Sequence, residues 1–394
     1  LSGISNTALG DCALQFNTTG HQNTGIGWWT LRYNTEGCDN QAIGFAALYN
    51  NTTGCNNTAI GCNALYSNTT GVHNNAYGWQ TLYYNTEGGY NDAIGYRAMR
   101  TNTTGNYNTA LGHQALYSNT TGCYNNAQGY YALYYNTTGC YNQAIGSSAL
   151  YCNTTGVYNV AIGHSPLNKN TTGGANTAMG NSALEQNTTG CYNFAVGYNA
   201  ARCNIAGGHN NAIGYESLFN TTSGDYNTAF GREVLRANTT GCHNNAIGCG
   251  ALLSNTTGCN NTAIGCSALR SNTTAGCNVA IGFRPLYSNT VGCNNTAIGN
   301  DTLFSNISGN DNFAAGQFAL YYNRGGCYNT AIGLRALNKN TYRAYNTAIG
   351  VCALKCNTTG CYNTAIGLNA LCGSLSGDHN FAGGYHALYN NWGG

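Results

Sequence analysis

Small and apolar residues recur along this chain with a fixed period of 17. Stepping from Ala8 gives Gly25, Ala42, Ala59, Ala76, Ala93 and Ala110, and the series runs without a slip to Ala382, in 23 copies. Two residues after each of these comes Gly, as in Gly10, Gly27, Gly44 and Gly61. Two residues before comes Asn: Asn6, Asn23, Asn40, Asn57, Asn74, Asn91 and onward to Asn380. Six residues after comes Leu, replaced only by Met99 and Ala201. The unit reads N-T-A-I-G-x-x-A-L-Y-S-N-T-T-G-x-x. A stretch such as "NNTAIGCNALYSNTTG" (56–71) is therefore one tile of a repeat, not a linker.

Tiles of constant length without insertions imply stacked units that each contact their neighbours. Seventeen residues are too few for two helices with their turns, and the tile is poor in helix formers. The pattern predicts an all-β parallel β-solenoid of about 23 coils, one tile per coil, as a single continuous domain over 1–394 with no separate cap. Short strands are expected near T-A-I and A-L-Y, with turns at the Gly and at N-T-T-G, where Gly and Asn accept positive φ. Coils about 4.8 Å apart would make a rod on the order of 110 Å long.

Stacking places like residues in columns. So small a coil leaves room inside only for slim side chains, hence Ala, Gly and Leu. The Asn column is expected to form an amide ladder that satisfies buried polar groups coil by coil. Period-2 alternation sets Asn, Ala and Gly on one face of the strand and the Ile after each Ala on the other. Tyr77, Gln128 and Phe230 replace Ile at that place, which favours a partly exposed apolar stripe contacting another chain.

The runs "NTAIGCNAL" (57–65), "NTAIGCSAL" (261–269) and "NTAIGLNAL" (363–371) resemble the S-V-A-I-G-x-x-A pattern of trimeric autotransporter adhesin heads, the YadA-like β-roll. They resemble more nearly the N-T-A-x-G-x-x-A-L-x-x-N-T-T-G repeats of bacterial cell-surface and phage tail-fibre-like proteins. The resemblance covers essentially the whole chain. It implies an elongated, extracellular or cell-surface, oligomeric fibre.

Composition narrows the partners. Charged residues are 7% of the chain and the net charge is +2, which argues against nucleic acid, whose phosphates require clustered Lys and Arg. No apolar run approaches the roughly 20 residues of a membrane span. Twenty Cys suggest an oxidising, extracytoplasmic setting. Ten of them share one column, including Cys55, Cys140, Cys191, Cys242 and Cys259. Cys55 and Cys62, Cys242 and Cys249, and Cys259 and Cys266 recur seven apart; Cys140 and Cys152, and Cys191 and Cys203, recur twelve apart. These are disulfide candidates within or between coils, with Cys293 and Cys327 left without an obvious partner. No Cys or His spacing matches a zinc site, and no cofactor is implied.

N-x-[ST] sequons recur in one column: Asn17, Asn51, Asn68, Asn102, Asn119, Asn136, Asn153, Asn170, Asn187, Asn238, Asn255, Asn272, Asn306 and Asn357, with Asn220 one residue early. Asn56, Asn260 and Asn294 form a sparser set. They are N-glycosylation candidates, but Asn34, Asn85, Asn289, Asn323 and Asn340 keep the Asn and lose the acceptor motif, so the turn comes first. Tyr columns (Tyr49, Tyr66 and Tyr83; Tyr90, Tyr107 and Tyr124) are expected to stack on themselves, and secondarily on sugars.

Dispersed acids such as Glu36, Glu87, Glu185, Glu216, Glu233, Asp301 and Asp311, and the lack of a cleft-forming insertion, argue against an enzyme. The leading expectation is a structural protein forming an extracellular fibre by end-to-end or lateral self-association, with glycans attached. The tile runs uncapped from Leu1 to Gly394, and a bare terminal coil invites edge-on-edge stacking. An adhesin or tail-fibre-like head binding surface glycans or host matrix is the alternative. An ice-binding solenoid ranks third, because its Thr-Thr pairs lie in turns.

Overall fold

A computed structural model describes residues 3–391. They divide into two compact units, Leu1–Asn193 and Phe194–Gly394. In the first, β1 (Thr7–Leu9) through β11 (Thr177–Met179) each pair with the next, parallel and in register. In the second, β12 (Phe194–Val196) through β23 (Phe381–Gly383) do the same. Every strand is three residues long, and successive strands start 17 residues apart. Ala59 lies opposite Ala76, and Ala76 opposite Ala93. The chain is thus an all-β parallel β-solenoid with one tile per coil. Its outermost residues, on which the end-to-end expectation rests, fall outside the described range.

Only T-A-I is a strand. The A-L-Y segment, expected to be a second one, is a turn. Its backbone still bonds coil to coil, with Leu65 N–H donating to the Thr81 carbonyl at 3.0 Å, but Leu65 sits at φ 50° and Asn63, two residues earlier, at φ 56°. A chain that alternates into the left-handed region cannot stay pleated. The same left-handed φ returns in every coil at three columns, those of Asn56, Asn63 and Leu65. None of the three contains a Val, Ile or Thr anywhere in the chain. Branching at Cβ makes that region prohibitive, which explains why the buried aliphatic column is Leu and never Ile.

Inside each coil lie the two Ala, the Leu, the N-T-T-G Gly and two Asn, nearly all with no exposed surface. The turn at N-T-T-G closes on a single acceptor: the Thr69 carbonyl receives the N–H groups of Thr52, Thr53 and Gly54 at 3.0–3.2 Å. At that Gly a side chain is crowded in most coils, although Ala275 and Arg343 stand in the same column. A Cβ on Gly122 would collide with the Gly139 carbonyl oxygen and with Asn119 Oδ1.

Candidate interaction surfaces

The polar interior holds two amide ladders. In the first, Asn57 Nδ2 donates to Asn40 Oδ1 (3.1 Å) and to the Gly71 carbonyl (2.8 Å), while Asn57 N–H also donates to Asn40 Oδ1 (3.0 Å). Asn40, Asn74 and Asn91 repeat this pattern on their own neighbours, Asn23 bonds the Gly37 carbonyl through Nδ2 and Asn6 Oδ1 through its N–H, and Asn6 begins the ladder by donating to the Gly20 carbonyl.

The second ladder is the sequon column. Asn119 Nδ2 donates to Asn102 Oδ1 (2.8 Å) and to the Gly122 carbonyl (3.0 Å), and Asn119 Oδ1 accepts from Asn136 Nδ2 (2.8 Å). The two ladders meet on shared acceptors: the Gly71 carbonyl takes one bond from Asn57 and one from Asn68. Asn51, Asn68, Asn102, Asn119, Asn136, Asn153, Asn170, Asn187, Asn238, Asn255, Asn272, Asn306 and Asn357 are all buried in this column. A sugar on such a nitrogen would take a hydrogen already donated and would have no path to solvent. Asn17 and Asn220 are half-buried, whereas Asn56, Asn260 and Asn294 are exposed. The retained Asn34, Asn85, Asn289, Asn323 and Asn340 were the sequence signal for this second ladder, since they keep the amide and drop the acceptor motif.

Two rungs of this column lack the amide, at Thr221 and Ser374. Thr221 stands in the sequon column, buried, and its hydroxyl has no partner among the described residues.

No disulfide joins any of the twenty cysteines, so none of the expected pairs is bridged. Cys55, Cys62, Cys140, Cys152, Cys191, Cys203, Cys242 and Cys259 are half-buried and unbridged. Cys249 and Cys266, the expected partners of Cys242 and Cys259, are exposed and equally unbridged. The reason lies in the strands between the paired positions. Cys55 and Cys62 flank β4 (Thr58–Ile60), and an extended segment of that length, at about 3.3 Å per residue, holds them beyond disulfide reach. Asn245–Ile247 separates Cys242 from Cys249 in the same way, and Thr262–Ile264 separates Cys259 from Cys266. Cys140 Sγ lies against the Thr138 carbonyl and the Cys123 N–H, and Cys191 Sγ against the Thr189 carbonyl and the Gly174 N–H. Burial pushes the thiols of Cys55, Cys152 and Cys372 up, which keeps them protonated near neutral pH. The thiols therefore lend no support to an oxidising compartment.

The aromatic columns stack on themselves. Tyr49, Tyr66 and Tyr83 lie 5.0 Å apart with planes within 3°. Tyr90, Tyr107, Tyr124, Tyr141 and Tyr158 continue at 4.9–5.0 Å. Where Arg enters such a column it continues the stack. Arg100 lies 5.4 Å from the Tyr83 centroid and 6.0 Å from that of Tyr117, and Arg270 donates to the Tyr287 hydroxyl at 2.9 Å. Within a stack the faces cover one another and the edges face water, so sugars find no open platform there.

The first threonine of the turn is likewise committed. Thr52 Oγ1 donates to the Thr69 carbonyl (3.0 Å), and this bond recurs along the column. Several charges are neutralised locally: Arg236 with Glu216 at 2.6 Å, Arg284 with Asp301 at 2.9 Å and Arg232 with Glu233 at 3.2 Å. Among the described residues no cluster of His, Cys, Asp or Glu is placed to hold a metal, and no helix is long and apolar enough to cross a membrane.

What remains open is the outer face of the strands. The middle Ala of each strand points in, and its two neighbours point out. One outward column is mainly Thr, Asn and Gln; the other is mainly Ile. In the first unit Ile43, Ile94 and Ile162 are exposed, as are Ile247, Ile281, Ile298, Ile332, Ile349 and Ile366 in the second, each over 36–48% of its surface. No protein-family model and no curated protein matches the chain.

Proposed function

We propose that this protein is a structural, fibre-forming protein that self-associates side by side through the strand face of its coils. The observation that carries this reading is the apolar column on that face, with Ile at 14 of its 23 positions and most of the rest apolar. Covering one such Ile gains on the order of 1 kcal/mol, and a column of several coils multiplies that gain. The partner best matched to the face is a second copy. In it, Ile recurs at the same spacing of about 4.8 Å, and two such sheets pack face to face about 10 Å apart. The likeness of the NTAIG runs to cell-surface and tail-fibre repeats points the same way and supports an extracellular setting.

The test is sedimentation equilibrium of the protein and of Ile298→Lys/Ile332→Lys. These positions face outward, so the variant keeps its fold and its thermal unfolding. Concentration-dependent association of the parent, lost in the variant, supports the reading. A parent that stays monomeric at concentrations of ~50 μM, where contacts of this strength would show, would reject it.

A further inference from the structure

Positive charge is concentrated in one place. Five of the 14 Lys and Arg (Arg324, Arg335, Lys339, Arg343 and Lys355) fall in three successive coils of the second unit, and none of the 12 acidic residues lies between Asp311 and Asp378. Three of these cations border a groove of about 340 Å³. Arg335 and Lys339 are exposed, Lys355 is half-buried, and none of the three has an ion-pair partner among the described residues. Asp301, the nearest acid in the Arg335 column, is held by Arg284.

The aromatic wall of the groove is the end of a ladder. Tyr287, Phe304 and Tyr321 stack at 5.0–5.1 Å, and then Asn338 and Lys355 follow in the column in place of rings. The Asn338 amide is turned away, donating to the Phe318 carbonyl at 2.8 Å. Tyr321 is thereby left without a ring on its far side. Tyr322 stands edge-on to it at 4.7 Å, and Arg335 lies 5.9 Å from the Phe318 centroid.

We infer that this groove is a binding site for an anionic saccharide, a short carboxylated or sulfated sugar. An uncovered aromatic ring offers a sugar's apolar C–H face a place to rest. A fork and two ammonium groups beside it suit carboxylate or sulfate, and the volume fits a few sugar rings. A long polyanion such as nucleic acid fits less well, because the rest of the chain holds nine cations against twelve acids. The first unit carries its own counterexample. There the Tyr117, Tyr134, Tyr151 ladder ends at Asn168, whose amide donates to the Ser148 carbonyl at 3.1 Å, and Lys169 follows. The next residue in that column is Glu185, where the groove has Lys355. The site does not depend on the fibre reading.

The experiment is calorimetric titration of the full chain with a uronic-acid trisaccharide, a sulfated disaccharide, a neutral trisaccharide and an oligothymidylate. Saturable binding of either acidic sugar is expected, weakened at high salt, with none for the neutral one. Lys355→Glu, which copies the Glu185 arrangement, and Lys339→Gln are each expected to lower affinity about tenfold or more without moving thermal unfolding. Lys169→Gln should leave affinity unchanged. Failure of both acidic sugars to bind, binding indifferent to Lys355 and Lys339, or tighter binding of the oligothymidylate at these residues would overturn the inference.

Discussion

Leu116 illustrates what one residue must satisfy in this coil. It is fully buried and sits at φ 52°, so it must be apolar and unbranched at Cβ, conditions that Met99 and Ala201 in the same column also meet. Leu116→Ile keeps the volume and breaks only the last condition. It is expected to cost about 1–3 kcal/mol, whereas Ile264→Leu, on a strand, should be near neutral; chemical denaturation compares the two. Thr221 presents the opposite case, a rung where the amide is missing. Thr221→Asn is expected to add about 1–2 kcal/mol by restoring the ladder bonds there. Asn119→Ala should remove about 2–4 kcal/mol, because it strands Asn102 Oδ1 and Asn136 Nδ2 in the interior.

At the scale of the coil, the tile length, the parallel register and the first Asn ladder were legible in the sequence, because a 17-residue period leaves no freedom in which residues stack. The A-L-Y turn was not. Its apolar residues look like strand residues, and the left-handed backbone shows only as the absence of Val, Ile and Thr from three columns. The sequon column was ambiguous for a related reason: an Asn that caps an interior turn and an Asn awaiting a sugar share the same letters. Expression through a eukaryotic secretory route separates them. Peptide mapping is expected to find any glycan at Asn56, Asn260 or Asn294, and none at Asn102, Asn119 or Asn136. The cysteine pairs rest on spacing alone. Spacing does not reveal the strand lying between Cys55 and Cys62, nor those that part Cys249 from Cys242 and Cys266 from Cys259.

The aromatic ladders belong to the same scale and give the coil a pH limit. Burial, with the neighbouring Tyr135 hydroxyl, pushes the Tyr151 phenol from 10.0 up to about 12. A raised phenol favours the folded state while neutral, so its contribution is complete below pH 10 and is lost as pH climbs toward 12. Thermal unfolding is expected to weaken across that window, with phenolate absorbance appearing later than for free tyrosine. Tyr151→Phe should blunt the loss.

For the molecule as a whole, the apolar strand face and the sparse charge point in one direction. With 7% charged residues and Ile exposed on coil after coil, little opposes close approach of a second copy, and a shared repeat makes the two faces commensurate. The outward Ile column was legible from period-2 alternation. The cationic groove was not, because its residues are ordinary substitutions in separate columns, gathered only when three coils stack. Cryo-electron microscopy of the assembled protein at side-chain resolution tests the central claim most directly. The account predicts layers about 4.8 Å apart, Asn columns inside each coil, and Ile298 and Ile332 of one copy packed against the strand face of another. Particles whose layers do not repeat every 17 residues, or whose Ile columns face open solvent, would contradict it.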